Sequence, residues 1–345
     1  MPKISVGVIG TGSIGNVHLR GYAAAPKDIV IGAICDVNPT RLAEMGEKYG
    51  VAPENRYRDY RKMLAEADIQ AVSVCVPNKL HFEAAAAVVE SGRNLLLEKP
   101  VVLTMEEARK LRRLLEKHQV KFMVAFSHRF FLANIAAQKL LKKNVIGKPY
   151  SIRVRYAHTG PYPGWAQGDW FYKPKMAGGG AILDMGIHAI DMCQNLIGPI
   201  QTVQAEVKTL RKKIQVDDNA FLLVDFGKEA ACVGTIEVGW TSPAGWSGIE
   251  IYGDKGSIRL GLNQRAVVTR GVTRPDGTTE LREEEIQDFN ENGHWVSQME
   301  QWIKYLHGKK TITPIPGWAE GESSLAVVLA AQESSKTGRR IKVKR

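Results

Sequence analysis

At 345 residues the chain exceeds one typical domain, and its length points to two. Hydrophobic residues make up 44% and charged residues 24%, the balance of a soluble globular protein, and no apolar run approaches the ~18–20 residues that a membrane helix needs. The net charge of +11 raises nucleic acid as a partner, but the basic residues are dispersed apart from 336–345 and no RNP, zinc-finger or basic-zipper pattern accompanies them, so the charge is assigned to solubility and to attraction of anionic ligands such as a dinucleotide.

Glycines 7, 10 and 12 break the first apolar run, and no small-residue cleavage site follows, so the start of the chain does not read as a signal peptide. Cys35, Cys75, Cys193 and Cys232 never form a C-x-x-C, and two of them lie in strand-like runs. Buried free thiols in the cytoplasm are the expectation.

Residues 4–9 are a short apolar run suited to a buried parallel strand. The run ends in Gly10-Thr11-Gly12-Ser13-Ile14-Gly15, a full G-x-G-x-x-G, and a helix follows over 16–25. Gly10 permits the turn, Gly12 lets the backbone approach a pyrophosphate, and Gly15 lets helix and strand pack closely. A second strand over 29–35 leads to Asp36, about 20 residues beyond the glycines, where a carboxylate takes the ribose hydroxyls. The same carboxylate repels a 2′-phosphate and favours NAD, although Arg41 offers a guanidinium that keeps NADP open. Asp36 also stands where it can cap the helix that starts at Pro39.

Helices over 60–67, 81–91 and 105–119 (capped by Thr104) then alternate with strands over 71–76, 94–97 and 121–126. In such a sheet, ligands bind beyond the carboxyl ends of the strands, where Pro77, Asn78, Glu98, Lys99 and His128 fall. Lys99, held before Pro100, is suited to stabilising an alkoxide; the plain alternative is a solvated loop lysine.

A helix is expected over 129–142 and a strand over 151–157, followed by a structureless loop over 158–176. Its Trp165 and Tyr172 suit the C–H faces of a sugar ring, and Asp169 and His158 suit its hydroxyls; packing within the fold is the competing use for the rings. Three glycines, 178–180, then open a helix in which Asp184 and His188 are four apart on one face and Asp191 lies a turn further on. A carboxylate beside an imidazole is a proton-handling pair, or simply a polar pair on a helix. Runs at 202–210, 219–226, 230–240, 248–252, 257–260 and 266–270 suggest an antiparallel sheet, with helices over 294–306 and 318–333 and a last strand over 340–343. Trp240 reads as core or as a border of the site.

The glycine motif, Asp36, V-P-N-x-x-H at 76–81, E-K-P at 98–100, G-G-G-x-x-x-D-x-G-x-H-x-x-D at 178–191 and I-x-G-x-K-G-S at 251–257 occur in an order that resembles the glucose–fructose oxidoreductase/inositol dehydrogenase (Gfo/Idh/MocA) family. The resemblance spans essentially the whole chain. It implies an N-terminal doubly wound parallel-sheet (Rossmann) domain, 1–127, and an α+β domain, 128–345, with a large open, mainly antiparallel sheet flanked by helices and with room for its C-terminal segment to pack back near the first domain. It implies an NAD(P)-dependent oxidoreductase acting on a sugar, anhydrosugar or cyclitol hydroxyl. Lys99, Asp184 and His188 are then the catalytic group, Pro77, Asn78 and Glu98 lie near the nicotinamide end, and His81 counts with the cofactor-binding residues. His158 corresponds loosely to a substrate-binding histidine of the family's inositol dehydrogenases, and His128 is placed with it on the substrate side. A homo-oligomer, dimer or tetramer, through the C-terminal sheet also follows from the resemblance.

On this reading His188 takes the hydroxyl proton, Lys99 stabilises the oxygen and Asp184 orients, although coupled groups share the proton. The rivals are a regulator that binds NAD and a sugar without turnover, a metal-dependent dehydrogenase using His158, Asp184 and His188, and, among the enzymes, a tightly NADP-bound sugar oxidoreductase or a sugar 3-dehydrogenase. Lys99 puts a competing charge beside any metal, so no metal is expected.

Overall fold

A computed structural model of the chain describes residues 2–261, 266–286 and 293–345. The chain forms two compact units, one from Met1–Ser127, Tyr162–Gly178 and Trp295–Leu325, the other from His128–Pro161, Gly179–His294 and Ala326–Arg345.

In the first unit the apolar runs become β1 (Ile4–Ile9), β2 (Ile29–Cys35), β4 (Ala71–Val74), β5 (Asn94–Leu97) and β6 (Phe122–Val124), joined by a two-residue strand without an apolar run, β3 (Arg56–Tyr57). They pair in parallel in the order β3-β2-β1-β4-β5-β6, so the strand order reverses between β1 and β4. Between them run α1 (Ser13–Ala23), α2 (Pro39–Lys48), α3 (Tyr60–Glu66), α4 (His81–Glu90) and α5 (Met105–His118). α5 starts at the expected cap: Thr104 accepts from the Glu107 N–H and Glu107 reaches back to the Thr104 N–H. A parallel sheet needs cover on both faces, and the later segments of the unit contribute to it. Trp302 donates its indole N–H to Tyr22 at 3.0 Å, and the ring of Trp318 lies 6.0 Å from that of Phe122. Trp302 and Trp318 thus tie 295–325 to the first unit, in line with a C-terminal segment that returns to the first domain, and 162–178 clusters with that unit as well.

The second unit opens with α6 (Leu132–Lys142) and β7 (Pro149–Ala157). The expected helix over 129–142 starts late, because Ser127–Phe130 winds as a tighter 3₁₀ turn. The stretch 158–176 is not structureless: Asp169–Tyr172 is a 3₁₀ turn and Pro174–Ala177 is α7, begun by proline and stopped at Gly178 with φ +76°. After α8 (Ile187–Leu196) come β8 (Thr202–Lys208), β9 (Asn219–Asp225), α9 (Gly227–Ala230), β10 (Val233–Gly239), β11 (Gly248–Gly253), β12 (Gly256–Gly261), β13 (Ala266–Thr273) and β14 (Thr279–Ile286). Then follow α10 (Gly293–Leu306), α11 (Trp318–Thr337) and β15 (Ile341–Lys342). The sheet order is β14-β13-β12-β11-β7-β10-β9-β8-β15, antiparallel except for the β7–β10 pair. β14 has no counterpart in the sequence reading. Five residues of its T-E-L-R-E-E-E-I are charged, as suits an edge strand, and pairing with β13 alone defines it.

All four cysteines are buried thiols, and burial pushes Cys35 up to about 12 and Cys232 to about 11. Among the described residues no helix is long and apolar enough to cross a membrane.

Candidate active site

The glycine turn is built as its motif requires. Gly10 has φ +87°, and a Cβ there would meet the Cys75 carbonyl oxygen at 2.4 Å; one on Gly15 would meet the Gly10 oxygen at 1.9 Å. At Gly12 the nearest atom to a Cβ would be Arg41 at 3.9 Å, so the bare backbone faces open space where a phosphate can approach. That space is a cleft of ≈ 490 Å³ in the first unit, whose walls include Gly12, Ser13, Asp36, Pro77, Trp165 and Trp170. Gly10, Ile14 and Arg41 border it as well. A dinucleotide fits this donor set: bare amides for phosphates, a carboxylate for ribose and apolar walls for rings.

Asp36 is buried and holds the turn. Its Oδ2 accepts the Thr11 N–H at 2.8 Å and the Thr11 hydroxyl at 3.0 Å, and Oδ1 accepts the Asn38 N–H at 2.9 Å. Arg41 stands 3.5 Å from Oδ2. The cap of α2 is Asn38, which accepts from the Arg41 N–H at 3.1 Å, and not Asp36, which accepts the N–H groups of Thr11 and Asn38 instead.

At the carboxyl end of β5 the Lys99–Pro100 peptide is cis, and Lys99 is half-buried. Glu98 faces inward: its Oε1 lies 3.1 Å from Nε2 of His18, and its Oε2 accepts the Lys99 N–H at 3.3 Å. His18, from α1, is fully buried with its other ring nitrogen 3.5 Å from Cys75 Sγ. His81 is also internal, its Nδ1 lying 2.5 Å from the Pro100 oxygen and its Nε2 2.9 Å from the Val76 oxygen. Burial pushes the pKa of His81 down, and a neutral ring donates to only one of those carbonyls. Asn78 donates to the Ala177 oxygen at 2.8 Å. Thus Asn78, His81 and Glu98 tie the strand ends to neighbouring backbone and side chains.

In the second unit the three-glycine lead-in has a specific anchor. The Asp217 carboxylate accepts the N–H groups of Gly180 and Ile182 at 2.7 and 2.8 Å, and a Cβ on Gly180 would lie 1.8 Å from the Asp217 carbonyl oxygen. The helix then opens with a π turn, Ile182–Gly186, before α8. Asp184 therefore sits on a wider turn than the regular i, i+4 spacing assumes, an irregularity often found at functional sites. Asp184 accepts the indole N–H of the buried Trp240 at 3.1 Å, and the His188 ring stacks on His128 with centroids 4.3 Å apart and planes 11° from parallel. One turn on, Asp191 takes both arms of the Arg129 guanidinium at 2.7 Å.

The remaining substrate-side residues have local partners. Trp165 borders the dinucleotide cleft, and its carbonyl accepts the Ser13 hydroxyl at 3.1 Å. Asp169 pairs with Lys173 at 2.8 Å, and that ammonium holds the exposed carboxyl below the usual range. Tyr172 donates its hydroxyl to the Tyr162 carbonyl oxygen. His158 follows β7 and accepts the Gly160 N–H at 2.9 Å. The sequence reading passed over His18, Arg129, Asp217 and His294. A histidine on the buried stripe of α1 was the signal for His18; the others reveal themselves only through distant partners. Among the described residues no group of three or more His, Cys, Asp or Glu side chains is placed to hold a metal ion.

Comparison with known proteins adds a lineage. Residues 4–126 match the family model described as oxidoreductase family, NAD-binding Rossmann fold, and 135–259 match the GFO/IDH/MocA C-terminal domain. Levoglucosan dehydrogenase of Pseudarthrobacter phenanthrenivorans is 29% identical over 297 residues, covering 77% of this chain and 75% of the relative. Myo-inositol 2-dehydrogenase of Thermotoga maritima is 25% identical, with 98% of each chain covered. A solved levoglucosan dehydrogenase in complex with NADH and levoglucosan superposes with a TM-score of 0.87 at 25% identity, covering all of both chains.

Proposed function

Because the chain belongs to the GFO/IDH/MocA family of oxidoreductases, we propose that it catalyses reversible hydride transfer between NAD and a secondary hydroxyl of a sugar, anhydrosugar or cyclitol. It is a nicotinamide-dependent dehydrogenase acting on CH–OH, as its relatives that oxidise levoglucosan, glucosides and inositol are named for doing. The observation that carries the reading is the cleft in the first unit, lined by the open face of Gly12, suited to a pyrophosphate, and by the carboxylate of Asp36, suited to the adjoining ribose. Bound nicotinamide supplies a hydride acceptor at C4.

The chain's own residues then manage one proton and one developing charge. His188 takes the hydroxyl proton as the C–H pair leaves as hydride, so the alcohol becomes a ketone. The Lys99 ammonium hydrogen-bonds the same oxygen and stabilises its negative charge. Asp184, already fixed by Trp240, orients the substrate or the imidazole. A panel of anhydrosugars, monosaccharides and inositols, assayed for NADH formation and repeated with NADP, tests this reading. Turnover of at least one member with NAD is the expected result; none with either cofactor refutes it.

We also propose a homo-oligomer, dimer or tetramer, through the sheet of the second unit. Phe221, Leu223 and Val233 stand 44%, 43% and 50% exposed on one face, while the alternating Leu222 and Val224 are buried beneath. Phe221→Lys with Leu223→Lys is expected to yield monomers in light scattering; unchanged mass would place the contact elsewhere.

A further inference from the structure

His128 stands at a strand end and is expected on the substrate side, and nothing in the proposed proton transfer uses it. Its surroundings are more specific than that. Edges of three rings close on it: Tyr156 at 4.9 Å, Phe131 at 5.3 Å and His294 at 5.7 Å, with interplanar angles of 68°, 70° and 88°. Phe131 in turn stacks on His294 at 3.9 Å. The side left for a face-to-face contact carries His188, nearly parallel at 4.3 Å. The His128 carbonyl is pinned by the Asn134 amide at 2.7 Å, and both imidazoles are buried, 9% and 5% exposed.

We propose that His128 is a positioning residue for the proton transfer: stacked on His188, it fixes the plane of that ring and shares a single proton with it, so that a proton on His128 leaves His188 uncharged, because two imidazolium ions cannot be accommodated face to face in a buried box. This rests on the reading of His188 as the base. At this separation and at low effective dielectric the repulsion between two positive rings outweighs what either gains by protonation, so the pair holds at most one extra proton near neutrality. The other ionisable groups nearby do not undo this. His294 is pushed down to about 4 by burial and stays neutral, and burial drives the Tyr156 hydroxyl well above its ordinary range. Arg129 and Asp191 cancel each other in their two-armed pair, and the one carboxylate on the π turn before His188, Asp184, which accepts the Trp240 N–H, can offset one positive ring but not two. A base must be neutral to accept a proton, so the stack extends the working range of His188 toward acid.

The test is an NMR titration of the ring C–H signals in the NADH-bound wild-type protein and in His128→Asn, beside the pH profile of kcat/KM. Wild-type His128 and His188 are expected to titrate as one coupled pair, the second proton entering only far below the first. In His128→Asn the His188 ring is expected to take its proton about one pH unit higher, and the acid limb of kcat/KM to move up with it. Two independent wild-type titrations near the ordinary histidine range overturn the inference without any variant, and so does an unmoved His188 titration in His128→Asn. A His188 titration that moves while the acid limb stays put supports the coupling and refutes His188 as the base.

Discussion

Replacing Lys99 with methionine is expected to lower kcat by about 10²–10⁴-fold while NADH binding changes little. Methionine keeps much of the length and packing of the stem and removes only the ammonium. The cleft that carries the dinucleotide is walled by the glycine turn, Asp36 and aromatic side chains, none of which depends on that charge. Lys99 is also anchored independently of its side chain, through the hydrogen bond from its N–H to Glu98 and the buried Glu98–His18 contact. The loss should therefore fall on the chemical step. Steady-state kcat and a fluorescence titration with NADH separate the two effects; a kcat within threefold of wild type would remove Lys99 from the reaction.

The largest effect on stability is expected from Arg129→Met, at about 3–5 kcal/mol, because it strands a buried carboxylate. Arg129 and Asp191 are 6% and 1% exposed and meet through two hydrogen bonds of 2.7 Å, so the carboxylate left behind has no water to replace them. The double variant Arg129→Met with Asp191→Leu should recover most of the loss, since the pair offsets its own desolvation rather than adding net stability. Urea unfolding of the three proteins reads this directly. A single variant as stable as wild type would mean that Asp191 is satisfied in some other way.

The Rossmann half was legible because its signals are local. The glycine turn, Asp36 and the Thr104 cap each act within a few residues of backbone, and β1, β2 and β5 fall where their apolar runs lie. Local signals also mislead: Asp36 stood in capping position, but the cap went to Asn38. What escaped depends on partners far along the chain. Asp217 anchors the Gly180 backbone from 37 residues away, Trp240 reaches Asp184 across 56, and Arg129 reaches Asp191 across 62. The π turn at Ile182–Gly186 leaves no periodic trace, and the exposed acidic β14 has no apolar stripe to betray it. Trp165 is expected on the sugar side but lines the cleft of the glycine turn, a placement that depends on how its segment folds within the first unit.

The most direct measurement follows deuterium placed on the carbinol carbon of a sugar or cyclitol that the protein turns over with NAD. Hydride transfer predicts that the label arrives at C4 of the reduced nicotinamide, on one face only, with a primary isotope effect on the chemical step. Label released to water, or product formed without reduced nicotinamide, would contradict the account.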